Sequence, residues 1–87
     1  MKSKMKPQQM PDWFDGMIYE EGQEVTNPYS GQSYELTAME LSIYDFIMGS
    51  QAAFDFGFQD EEIIRSFQKA LTWFRKNNPE AYYVLLD

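Results

Sequence analysis

Ser66-Phe67-Gln68-Lys69 puts a hydroxyl and an amine one helical turn apart, the spacing that lets a lysine serve as base to a serine nucleophile. In this chain the pattern falls mid-way through an amphipathic segment, without the companion motifs of that chemistry. Two polar residues on a solvated helix face account for it. Asp55, Asp60, Glu61 and Glu62 form the densest group of carboxylates, a residue type that can move protons or ligate magnesium or calcium. Their order is not that of an EF-hand, because Gly57 follows Asp55 almost at once and no alternating ligands precede it. The start of a helix explains Asp60, Glu61 and Glu62 without a metal. Histidine and cysteine are both absent. Their absence excludes a Ser-His-Asp triad, a thiol nucleophile, disulfides, and thiolate or imidazole metal sites. No phosphate-binding glycine loop is present. The residues therefore predict no catalytic group, no metal ligands and no cofactor.

What remains is recognition. Seven basic residues face fourteen acidic ones, for a net charge of −7. No lysine or arginine occurs from Pro7 through Ile64, a stretch that holds Asp12, Asp15, Glu20, Glu21, Glu24, Glu35, Glu40, Asp45, Asp55, Asp60, Glu61 and Glu62. Such a surface repels nucleic acid and anionic membranes and attracts basic protein surfaces. It also keeps an aromatic-rich chain in solution. Trp13, Phe14, Tyr19, Tyr29 and Tyr34 lie where short strands cannot bury all of them. Aromatics edged by charge fit a protein-binding surface, while single exposed aromatics are ordinary. The residues expected to meet a partner are Asp15, Glu20, Glu21 and Glu24, with Trp13, Tyr19 and Tyr29. Trp73 and Phe74 stand beside Arg75 and Lys76, but Phe74 belongs to a core stripe. Without basic and aromatic residues interleaved, no direct contact with nucleic acid is expected.

These residues need elements to hold them. Residues 1–11 combine lysine, proline and glutamine without periodicity and are expected to form a flexible basic tail, with residues 12–87 as one small domain. Met17-Ile18-Tyr19-Glu20 reads as a strand, Glu21-Gly22 as a turn, and Gln23-Glu24-Val25-Thr26 as a return strand. Asn27-Pro28-Tyr29-Ser30-Gly31 is a strong turn, and Gln32-Ser33-Tyr34-Glu35 a further short strand. Thr37-Ala38-Met39-Glu40 is a capping box, with Leu36 and Leu41 as its hydrophobic staple. The helix it opens has a wide apolar face around Met39, Ile43, Phe46 and Ile47, and ends near Gly57. Small residues at Gly49, Ser50, Ala52 and Ala53 would let another helix approach closely. Asp60 caps a second helix whose stripe is Ile63, Phe67, Ala70, Leu71 and Phe74. Asn78 and Pro79 stop it and start a short third helix, with a strand over Tyr82–Leu86 as the alternative. The expected fold is α+β: an N-terminal antiparallel hairpin or three-stranded meander packed on two main helices plus a short C-terminal one.

The stretch from Val25 to Phe46, with its Asn27-Pro28-Tyr29-Ser30-Gly31 turn leading to Tyr44-Asp45-Phe46-Ile47, resembles small proteins of tailed bacteriophages. The resemblance implies a phage-encoded accessory or virion role and brings no catalytic residues. No apolar run follows the N-terminal lysines as in a secretory signal, and no window approaches the ~20 apolar residues of a membrane span. The expectation is a non-enzymatic acidic interaction module in the cytoplasm of the host, bound to a basic protein surface. The alternative is a small structural component of a virion, with self-association possible.

Overall fold

The structure, a computed structural model, describes residues 10–14 and 16–86. Two strands, β1 (Gln23–Thr26) and β2 (Ser33–Leu36), precede three helices, α1 (Ala38–Asp55), α2 (Glu61–Asn77) and α3 (Pro79–Leu85). The fold is thus α+β, with an antiparallel hairpin in register Gln23–Leu36, Glu24–Glu35, Val25–Tyr34 and Thr26–Ser33. The turn between the strands closes as its residues dictate. Asn27 Oδ1 accepts from the amides of Tyr29 (2.8 Å) and Ser30 (3.4 Å), and Gly31 takes φ +78°. Asn27 Nδ2 then donates to the carbonyl of Val84 (3.0 Å), which pins the hairpin tip to α3.

Thr37 starts α1 with both halves of the capping box: its hydroxyl accepts from Glu40 N (3.2 Å), and Glu40 Oε1 accepts from Thr37 N (3.0 Å). Leu36 and Leu41, the staple pair, are both buried. The helix ends in a Schellman motif, with Gly57 at φ +97° donating to Phe54 O (2.9 Å) and Phe58 N to Ala53 O (3.0 Å). Asp60 caps α2 through Glu62 N (2.8 Å) and Ile63 N (3.3 Å). Asn78 ends α2 and caps α3 through Ala81 N (3.2 Å), so Tyr82–Leu85 is helical rather than a strand.

The core joins Leu36, Leu41, Ile43, Ile47, Ala70, Phe74, Ala81 and Leu85, drawn from β2 and all three helices. Burying each of its large side chains contributes about 1.5–3 kcal/mol. Val25 and Tyr34 pack against this core from the inner face of the hairpin. Along α2 the apolar stripe is graded. Ala70 and Phe74 are sealed, Phe67 and Leu71 half-buried, and Ile63 exposed near the helix start.

Two expectations need correcting. Met17–Glu20 is not a strand, so the three-stranded alternative does not form. The amide of Tyr19 donates to Ser42 Oγ on α1 (2.9 Å), which diverts this segment onto the helix, and Met17 and Ile18 stay exposed. Gly22 is more than a turn residue, because a Cβ there would fall on the carbonyl oxygen of Leu36 and within 3.1 Å of Thr37 Cα. Only a glycine lets the chain pass so close to the end of β2. Residues 1–9 of the expected tail, and Asp15, lie outside the described residues; Met10 packs against the core.

Candidate interaction surfaces

Strand alternation determines what the hairpin shows to solvent. Val25, Tyr34 and Leu36 point inward, so Glu24, Thr26, Ser33 and Glu35 point outward, and all four are exposed. Thr26 and Ser33 join hydroxyls across the strands (2.7 Å). Glu24 stands directly opposite Glu35, a like-charge cross-strand pair that disfavours the hairpin. Exposed Glu20 and Glu21 enter β1 at the same open end of the hairpin. Three of the acidic residues expected at a partner surface are therefore neighbours, joined by Glu35, while Asp15 is outside the described residues.

The expected aromatics do not join them on one surface. Trp13 is half-buried in a trio with Phe14 (6.1 Å between ring centroids) and Phe46 of α1 (6.4 Å). Tyr19 is half-buried where its backbone meets Ser42. Tyr29 is 96% exposed at the hairpin tip, the opposite end from Glu20 and Glu21, where it borders a cavity of about 210 Å³ with Met48 and Leu86. Most aromatics of the first third thus cover the helices.

A buried polar network links three elements. Glu40 is 1% exposed and accepts from Asn78 Nδ2 at Oε2 (2.9 Å), besides closing the capping box. The Tyr34 hydroxyl faces Asn78 Oδ1 (3.4 Å) and Glu80 Oε1 (3.3 Å). Burial, and next the Glu80 carboxylate, push the Tyr34 pKa above the usual 10.0. Burial and Asp45 do the same for Tyr44. The network ties β2, α1 and α3 together.

Two grooves were not visible in the sequence. One, of about 310 Å³, runs over Gly49, Ser50 and Ala53, walled by Met17, Phe46 and Ile63. A Cβ on Gly49 would meet nothing within 4 Å, so the small-residue patch floors this groove and no helix packs at Gly49. The other, of about 520 Å³, is lined by Trp13, Arg65, Gln68, Lys69, Thr72, Trp73 and Lys76. Ser66 lines neither; it borders a third cavity with Asp60 and Glu62, while Lys69 faces the second groove. Among the described residues no group of three or more carboxylates is placed to hold a metal ion. No helix among them is long and apolar enough to cross a membrane. No family model, curated protein or solved structure matches the chain.

Proposed function

We propose that this chain is a non-enzymatic interaction module, phage-encoded and acting in the host cytoplasm, whose acidic hairpin face docks on a basic surface of a host or phage protein. The observation that carries this reading is the opposed pair Glu24 and Glu35 on a fully solvent-facing sheet surface. In the free protein that arrangement is unfavourable, and a lysine or arginine from a partner would relieve it. Glu20 and Glu21 extend the same charge at the strand entrance. The test compares wild type with the Glu20→Lys/Glu21→Lys/Glu24→Lys triple variant in a tagged pull-down from nuclease-treated host lysate, at low and moderate salt. A basic protein held by wild type at low salt, released at moderate salt and lost from the variant is the expected result. Capture equal in both, at both salts, would remove the acidic face from the interaction.

A second reading, a self-assembling structural component, draws on exposed apolar residues. Met17 is 65%, Ile18 63%, Phe58 66% and Phe56 84% exposed, and Met17 lines the small-residue groove. Copies packing through that groove would bury Met17 and Ile63. Light scattering decides: mass rising with concentration favours assembly, and a constant monomer mass excludes it.

A further inference from the structure

All four basic residues of the chain's second half lie on α2. Arg75 sits over the ring of Tyr82, 5.5 Å from its centroid. The other three, Arg65, Lys69 and Lys76, line one open groove together with Trp13 and Trp73. The helix dipole favours Lys76 in the last turn, but neither Arg65 nor Lys69 lies there. None of the three forms an ion pair among the described residues, on a chain with twice as many acidic residues as basic ones. Cations left unpaired beside two indoles are a local exception to an acidic surface.

At 1.5 Å per residue, Arg65, Lys69 and Lys76 span about 16 Å along the helix axis. A lone nucleotide reaches one or two of them; a chain of phosphates reaches all three. Both half-buried indoles line the groove, and an indole is a ring on which bases stack without regard to sequence. Trp13 also borders the cavity that holds Asp60 and Glu62, whose carboxylates disfavour an anionic chain there. We propose that this groove binds a short stretch of single-stranded nucleic acid, with bases against Trp13 and Trp73 and phosphates at Arg65, Lys69 and Lys76. This goes beyond the acidic hairpin reading and uses different residues. With only three cations and a net charge of −7, binding is weak, with Kd on the order of 10⁻⁴ M.

The chain's two tryptophans both line the groove, so intrinsic fluorescence reads its occupancy directly. The full chain is titrated with a short oligothymidylate, with thymidine monophosphate and with polyglutamate. The oligonucleotide is expected to quench the fluorescence, with affinity falling about 15–20-fold between about 25 and about 100 mM salt, as release of counterions from three phosphates requires. Lys69→Gln should lower the salt slope by about 0.7, and Lys69→Glu should weaken binding at least about tenfold. Arg75→Gln, outside the groove, should bind as wild type. Unchanged circular dichroism shows that each variant is folded. Absence of quenching by the oligonucleotide overturns the proposal. Equal binding of polyglutamate overturns it in favour of an acidic protein partner, and equal binding of the monophosphate in favour of a free nucleotide.

Discussion

Asn78 joins three elements through one side chain, and replacing it tests the energetic account of the fold. Its Oδ1 caps α3 at Ala81 N, and its Nδ2 donates to the Glu40 carboxylate, which is 1% exposed. Asn78→Ala removes a helix cap, at a cost of about 1 kcal/mol. It also removes a hydrogen bond to a buried charged group, at a further cost of about 1.5–3 kcal/mol. Because both losses occur at one residue they do not add fully, and about 3 kcal/mol is the expected total. A chain of 87 residues has a stability of about 4–13 kcal/mol, so the loss is a large share. It corresponds to a fall in Tm of about 12–24 °C. Urea and thermal unfolding followed by circular dichroism measure it. Asn78→Asp separates the two contributions, since a carboxylate can still cap α3 but cannot donate to Glu40 and repels it. At pH 7 the aspartate variant should be at least as unstable as the alanine variant. Losses below about 1 kcal/mol in both variants would refute the network's role. A stable aspartate variant beside an unstable alanine one would leave the cap as the only contribution.

The two glycines that differ in surroundings should respond with opposite signs. Gly22→Ala drives a methyl into Leu36 O and should cost about 1–3 kcal/mol in urea unfolding, whereas Gly49→Ala, in a helix with open space around it, should gain about 0.4–1 kcal/mol. Glu24→Lys converts the cross-strand repulsion with Glu35 into attraction, so it should raise stability by a few tenths to about 1 kcal/mol while weakening partner capture. Stability should also fall as pH rises above about 10. The unfolded chain ionises its tyrosines there, while Tyr34 and Tyr44, whose folded pKa values are raised, still hold their protons. The loss continues up to the folded pKa values. A Tyr34→Phe variant should show a shallower alkaline decline, and equal declines in both proteins would contradict the assignment.

Signals carried within one turn of chain were legible in the sequence. Thr37 and Glu40 form their capping box, Asp60 and Asn78 cap their helices, and Gly31 and Gly57 take the left-handed conformation, because each depends on groups a few residues away. The pairing register of the two strands, by contrast, placed Val25 and Tyr34 on one face of the hairpin and Glu24 on the other. The apolar run Met17–Tyr19 also looked like a strand, yet its fate rested on Ser42, a partner 23 positions from Tyr19. Glu40 gave a local sign of its cap and none of its burial, which depends on Asn78, 38 positions further on.

The surfaces divide along the same line. Charge by sequence position marked Glu20, Glu21 and Glu24 as an acidic group, and strand pairing added Glu35 by placing it opposite Glu24. The basic groove had no linear signature, since Trp13 and Arg65 are 52 residues apart and the residues between them contain no cation. Composition and local spacing determined the hairpin, the helices, the helix caps and the net charge. Only packing of the N-terminal segment against α1, through Trp13, Phe14 and Phe46, decided which side chains stand beside the cations of α2, because that placement depends on long-range burial of aromatic surface.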